Sequence, residues 1–550
     1  MNQFPAPTPN ASHNRPPMTA RSYGAQFKAS AFYRLLLLGQ SPKGVRFSVP
    51  ELWPGNPDIG REILGGIFRH GDEAHKLGTA DQLPAQASSA WTAWFHGHSW
   101  LRDLCALGGG EAPYFAREWL SAWMDTNRTW TATAWAPEVT AERLINWCQH
   151  WSFLVRDDGS GPFEQMLRRM AGRDARHLQW SIPPHDAGFA RLHAIKGQTY
   201  GAFALLGGEG RMARALSRLK HEIGAQVLPD GGHVERNPQC LADVLKDLLE
   251  LKALLGAATG DVPGFLQNAI DRVAPMLRAL RHPDGGLALF NGGLKDDPAW
   301  LDLILAQTDS TAKPSQNAPH AGFQRLNAGV VNIILDCGRP SPVGTSQHAG
   351  TLSFELSIGK HRLIVNCGAR AGAHDPWRTA LAATAAHSTL SVNDTSSSAF
   401  ALDGKLCRSP DQVTCKRQDV EQGTLVEVSH DGYMDAFGLT HHRALFVASH
   451  GTDIRGEDRL TGVGGAYYTL RFHLHPDVKA SVVGDGHGVL VHLPGKEAWR
   501  LRTSADDVKL ENSVYLDHDG EHRRTEQIVI SGPLSGNGAL VKWALTREGA

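Results

Sequence analysis

The sequence predicts a two-part chain: a helical domain followed by an antiparallel, sandwich-like β domain. Three observations predict it. Apolar residues recur at three- and four-residue spacing up to about residue 306. A polar stretch interrupts the chain at 307–322. Period-two alternation dominates after it.

The segments Pro113–Asp125, Ala141–Val155, Gly161–Ala171, Phe189–Leu206, Arg211–Val227, Cys240–Leu255 and Val262–Leu280 read as helices. In 240–255, Leu241, Val244, Leu245, Leu248, Leu249 and Leu251 form an apolar stripe. Short stretches with Gly or Pro separate the segments, which makes sequential helices antiparallel neighbours. Pro-Asp-Gly-Gly occurs at Pro229–Gly232 and again at Pro283–Gly286, each after a helix, as a repeated helical hairpin requires. The run QTDSTAKPSQNAPHAG reads as a linker. Beyond it, Leu352, Phe354, Leu356 and Ile358 alternate with Ser353, Glu355 and Ser357, the pattern of a half-buried strand. Leu470, Phe472 and Leu474 alternate with Arg471, His473 and His475 in the same way. The expected organisation is a disordered segment at 1–23, a helical domain at 24–306, a linker at 307–322 and a β domain at 323–550.

Composition narrows the function classes. Of 550 residues, 41% are hydrophobic and 20% charged, which supports a packed core and excludes a mainly disordered chain. With 55 basic and 56 acidic residues, a dominant nucleic-acid footprint is not expected. The seven cysteines are scattered and include no CxxC pair, so free thiols are expected rather than a disulfide scaffold or a thiolate zinc module. The N-terminus lacks an apolar signal core, and Leu35–Leu38 is too short to span a membrane. The expectation is a cytoplasmic protein, with the periplasm as alternative, that binds neither nucleic acid nor membrane; the oligomeric state is left open.

Four groups of residues can carry chemistry. His233, Glu235, Arg236 and Asn237 follow Asp230-Gly-Gly and precede a helix. A helix N-terminus with an arginine suits an anion; the bland alternative is a helix capped by Asn237 with its charges in water. His348 and His387 could meet across strands and, with an oxygen ligand, hold a divalent metal. The alternative there is a pair of hydrogen-bonded structural histidines. Trp91, Trp94, His96, His98 and Trp100 lie within ten residues, and an aromatic face such as Trp94 suits a sugar ring, against core packing as the alternative. Tyr433 and His441-His442-Arg443 add polar candidates, with a solvated loop as their default. No P-loop, GxSxG, HExxH or dinucleotide fingerprint is present.

The strings His348-Ala-Gly-Thr-Leu-Ser-Phe-Glu-Leu356, Arg362-Leu-Ile-Val-Asn-Cys-Gly368 and Thr384-Ala-Ala-His387-Ser-Thr-Leu390 resemble, in order and spacing, the heparinase II/III family. The segments Asp230–Pro238 and Asp284–Asn291 are similar too, so the resemblance runs from roughly residue 50 to 545. It implies an incomplete α/α toroid joined to an antiparallel β-sandwich. It also implies a polysaccharide lyase that cleaves uronic-acid glycans by β-elimination in a cleft between the two parts. His348 and His387 match metal-linked positions, and Asn366 stands where the family carries an acidic residue; the implied ion is zinc, manganese or calcium. Ser346 replaces the first histidine of a His-x-His pair, and Cys240 falls near the family's proton-transferring tyrosine. His185 corresponds by separation to an upstream Asn or His.

Elimination beside a uronate requires a neutralised carboxylate, a base for the C5 proton and an acid for the leaving oxygen. The expected substrate binders are Arg236, Asn237, Glu235, Asn291 and Trp94. His233 is the first candidate for base, His348 for acid, with His185 and Tyr433 as further proton-transfer candidates. Two alternatives stand beside the lyase. A glycoside hydrolase would need paired carboxylates, and a non-catalytic glycan-binding protein would give no product.

Overall fold

The computed structural model describes residues 20–155, 161–183, 188–294, 297–344, 346–370, 376–401, 403–484, 486–495, 497–516 and 522–549. Its N-terminal part is helical. Helices Glu111–Thr126, Pro137–Gln149, Pro162–Ser181, Phe189–Phe203, Met212–Gln226, Pro238–Thr259 and Gly264–Ala279 carry most of it. Pro137, Pro162 and Pro238 each open a helix, where the missing N–H costs nothing and φ is preset. The predicted segment Ala141–Val155 is broken after Gln149, and Gly161–Ala171 continues to Ser181 because its apolar stripe does.

Phe189–Phe203 is the central helix, with every residue from Ala194 to Phe203 buried. Gly197 permits this: a Cβ there would lie 2.4 Å from that of Ala141. The helix also carries Lys196, fully buried, whose ammonium meets Asp247 at 2.5 Å and Glu250 at 2.6 Å. A charge so desolvated persists only because it is paired.

The tryptophans are mostly core. Trp91, Trp100, Trp123, Trp135 and Trp147 are all under 2% exposed. His96 and His98 accept hydrogen bonds from the indoles of Trp123 and Trp147 at 2.8 and 3.0 Å. An indole N–H needs a partner once buried, and here a neutral imidazole supplies it.

The C-terminal part is built on two antiparallel sheets, of eight and nine strands. Phe354, Leu356, Leu470 and Ile530 from one sheet, and Val426, Leu445, Trp499 and Trp543 from the other, join one hydrophobic cluster. The strand Phe354–Ile358 differs from its half-buried expectation, because all five of its residues are buried. Its polar face, Glu355 and Ser357, points at the helical part rather than at water. Both side chains meet His282, Glu355 at 2.9 Å and Ser357 at 2.7 Å.

The repeated Pro-Asp-Gly-Gly turns have the same geometry. Leu228 N–H donates to Gly232 O at 2.8 Å, and His282 N–H to Gly286 O at 2.9 Å. Gly231 and Gly285 both take φ near 90°, at 86° and 88°, where a side chain is strained. Asp230 and Asp284 each cap their own turn with one oxygen and use the other on the β part. Asp230 accepts from the amides of His320 and Ala321, and Asp284 from Arg362. The two turns are thus paired clamps, and the seam they hold frames the site.

Candidate functional site

A cleft of about 1210 Å³ opens between the helical and sheet parts. The helical side contributes Glu138, Arg191, Glu235, Asn237, Cys240 and Asp243. The sheet side contributes Ser346, Gln347, His348, Arg370, Arg378 and Lys405. Carboxylates therefore lie on the helical wall, and among the described residues the charged side chains lining the sheet wall are cationic. Gln347 ties the walls together by donating to Glu235 O at 3.0 Å.

On the helical wall, Asn237 caps helix Pro238–Thr259 by accepting from the amides of Gln239 and Cys240 at 2.9 and 3.2 Å. That fixes the first turn and aims Cys240 back at His233, whose Nδ1 is 3.4 Å from the thiol sulfur. Glu235 accepts from Phe189 N–H at 2.7 Å. Its carboxylate lies against Gly188 and Gly344, where an added Cβ would approach within 2.6 and 2.7 Å. Burial lifts the Glu235 carboxyl above its ordinary range, against the pull of the Phe189 amide. Burial also lowers His233 to about 4 and raises the Cys240 thiol well above its usual value, with Glu235 and Asp243 adding to the latter.

The sheet wall centres on His348. His387 donates from Nδ1 to Ala383 O at 2.8 Å, so its Nε2 carries the lone pair. That nitrogen faces His348 Nδ1 at 3.1 Å and accepts its proton. Burial, with His387 and Arg378 nearby, keeps His348 neutral.

The divalent ion implied by the resemblance does not fit these residues. The two imidazoles already satisfy each other. The Asn366 oxygen accepts from Ser388 N–H at 2.9 Å and its amide donates to Leu289 O at 3.2 Å. A carboxylate in this place would have a second oxygen to offer; the amide has none. Among the described residues, no third His, Cys, Asp or Glu completes a set around His348 and His387.

Several expected site residues lie elsewhere. Arg236 does not face the cleft. It donates to Ala321 O at 2.7 Å, Arg339 O at 2.8 Å and Gly322 O at 3.1 Å, and pairs with Asp336. Its backbone adopts φ 57°, which turns the side chain from the helix terminus into the β part. Asn291 donates to Arg236 O and Asp336 at 3.2 and 3.1 Å and is buried, so it braces the same pair rather than a substrate. His233 is 2% exposed behind Cys240 and Glu235, too enclosed to reach a C5 proton. Tyr433 is fully buried, with its hydroxyl on Leu390 O at 2.8 Å. His441 and Arg443, expected in a solvated loop, are buried on Asp458. Trp94 is half-buried and stacked on His70 with centroids 5.2 Å apart, and does not line the cleft. His185 lies outside the described residues. Arg370 and Lys405, which the sequence did not single out, do line it. Arg370 lies between strand His361–Val365 and helix Pro376–Ala382, Lys405 between two short strands, and neither belongs to a motif.

The two-part architecture has counterparts among known proteins. The family description "Heparinase II/III-like, C-terminal" matches residues 310–544. FtsZ-localized protein C of Caulobacter vibrioides (strain NA1000 / CB15N) is 32% identical over 542 residues, covering 94% of this chain and 92% of that protein. The crystal structure of heparinase III is similar with a TM-score of 0.74 at 14% identity, over 96% of this chain and 92% of that one. A mutant of heparan sulfate lyase HepC from Pedobacter heparinus is similar with a TM-score of 0.66 at 16% identity, over 94% and 87%. Helices leading into an antiparallel sheet-rich part are thus the heparinase III fold, and the chain belongs to the heparinase II/III-like family.

Proposed function

We propose that the cleft holds an acidic, uronate-bearing saccharide and that the chain is a lyase of the β-elimination type. The observation that supports this best is the polarity of the cleft, with Arg370, Arg378 and Lys405 opposite Glu235. Guanidinium groups on the sheet wall suit the uronate carboxylate and the negative charge that develops beside C5. Glu235, with its raised carboxyl, is the proton carrier on the helical wall, and His348 is the neutral imidazole on the other. This replaces the roles first expected of His233 and Arg236. In this reading the helical part is an incomplete α/α toroid and the two sheets form a sandwich. Carried over from its relative's name, a location with FtsZ makes a glycan of the cell envelope the natural substrate class and favours the cytoplasmic side.

The test is a panel of uronic-acid glycans read by mass spectrometry and near-ultraviolet absorbance. Elimination leaves a double bond in the new non-reducing end. Its formation by the wild-type chain and its loss in Glu235→Gln support the lyase; a saturated product supports hydrolysis. A second reading, glycan binding without cleavage, is favoured by Cys240 and Ser346 standing where the resemblance expects a tyrosine and a histidine. It predicts saturable binding and no product.

A further inference from the structure

The helical wall holds a group of side chains of which the lyase reading uses only Glu235. One nitrogen of His233, a carboxylate oxygen of Glu235 and the sulfur of Cys240 lie within 4.8 Å of one another. Among the described residues this is the one cluster of three His, Cys, Asp or Glu ligand atoms so close.

The hydrogen bonds around it fix its chemistry. The Gln226 amide nitrogen donates to Gly188 O at 3.0 Å and to Glu222 at 2.6 Å, so its oxygen must be the atom that faces His233 Nε2 at 2.8 Å. His233 Nε2 therefore carries the proton. The lone pair is on Nδ1, which lies 3.4 Å from the Cys240 sulfur and also accepts from Glu235 N–H at 3.3 Å. A histidine held through Nε2 by an amide oxygen, with its lone pair on Nδ1, is how metal-binding imidazoles are oriented, and an ion would displace the long contact from the Glu235 amide.

Distances agree. In a tetrahedral zinc site, bonds of ~2.3 Å to sulfur and ~2.0 Å to nitrogen put those two atoms ~3.5 Å apart. Here they are 3.4 Å apart. Glu235 is confined by Gly188 and Gly344, so its carboxylate stays beside the pair. The surroundings are acidic, with Asp243 on the next turn of the helix. Acidic surroundings oppose a free thiolate but favour a cation.

We infer that His233 Nδ1, the Glu235 carboxylate and the Cys240 thiolate bind one divalent ion of the zinc class, with an open fourth position toward the cleft. Soft sulfur, imidazole and one oxygen select zinc over calcium or magnesium. Binding replaces the S–H proton with the metal, and that proton leaves to solvent; a proton on Glu235 leaves likewise. Glu235 and Cys240 line the cleft, so the fourth ligand is water or a saccharide oxygen. The ion's binding stands without the glycan reading; in the ion-bound chain Glu235 is a ligand, and the proton-carrier role that reading gives it belongs to the ion-free chain.

The experiment uses the full chain, stripped with chelator and titrated with Co²⁺, then with Zn²⁺ in competition with a chromophoric chelator. The expected result is about one equivalent bound, with a thiolate-to-cobalt band in the near ultraviolet and strong visible bands of a tetrahedral site. Cys240→Ala abolishes the near-ultraviolet band, and Cys148→Ala, at a buried thiol outside the cluster, keeps it. Gln226→Ala, which frees the imidazole tautomer, weakens affinity by about 10- to 100-fold. Circular dichroism of each variant separates loss of metal from loss of fold, and the milder Cys240→Ser serves if Cys240→Ala unfolds. No stoichiometric metal in the wild type, or a band that survives in Cys240→Ala, overturns the inference. So does rapid alkylation of Cys240 unaffected by Zn²⁺, which would mark a free thiol instead. None of these readouts needs a saccharide, so the site and the lyase reading fail independently.

Discussion

Arg236 and Asp336 form a buried ion pair that joins the helical part to the sheet part. Asn291 bonds both members, and three backbone carbonyls take three more guanidinium protons. Removing one partner strands a buried charge. Arg236→Ala is therefore expected to destabilise the fold by about 3–5 kcal/mol, measured by urea unfolding. Arg236→Lys restores little, because one ammonium cannot reach Asp336 and three carbonyls in fork geometry. A stable Arg236→Ala with weakened glycan binding would instead return this residue to the cleft.

Glu235 depends on two glycines. At Gly344, φ is 82° and a Cβ would lie 2.7 Å from the carboxylate. Gly344→Ala is expected to displace Glu235 and add backbone strain of order 1 kcal/mol. Metal and saccharide binding should fall far more than the melting temperature does. Equal binding by this variant and the wild type would show that the carboxylate is not held by its neighbours.

His193 gives the fold an alkaline limit. Burial disfavours its charge, but Asp247 at 2.7 Å and Glu142 at 3.1 Å outweigh burial and raise it to about 9. The folded value lies above the unfolded ~6.5. Its contribution is therefore fully present below that pH and is lost as pH rises through 9. Urea midpoints should decline from about pH 6.5 to 9 in the wild type, and less so in His193→Gln.

Other histidines set an acid limit. Burial lowers His96, His150 and His233 to about 4, and His177 and His473 to about 3. Their neutral forms stabilise the fold above the unfolded ~6.5, and that contribution is lost as pH falls toward 4. Each histidine adds up to ~1.4 kcal/mol per pH unit in that window. Unfolding there should be steep and take up several protons, which a pH series of urea melts measures directly.

Much of the fold was legible because it follows from local rules. Helix positions followed the apolar stripes, and the repeated Pro-Asp-Gly-Gly turns share one geometry in the structure. What periodicity cannot tell is what covers a polar face. Glu355 and Ser357 look solvated in sequence and are buried on His282. Arg236 looks like an anion grip at a helix N-terminus, but its left-handed backbone and Asp336, a hundred residues on, send it into the seam. The tryptophan cluster showed density without direction, and most of it is core. His233, Glu235 and Cys240 were all in view, yet only the cap at Asn237 brings the thiol to the imidazole. The lining cations Arg370 and Lys405 left no pattern to find.

The most direct test of the cleft is calorimetric titration of the wild-type chain with uronic-acid oligosaccharides and with uncharged analogues in which the carboxylates are reduced. The account predicts saturable binding of the acidic series that weakens with salt, weakens about tenfold or more in Arg378→Ala, and is absent for the reduced series. Equal binding of both series, or acidic binding untouched by Arg378→Ala, would contradict it.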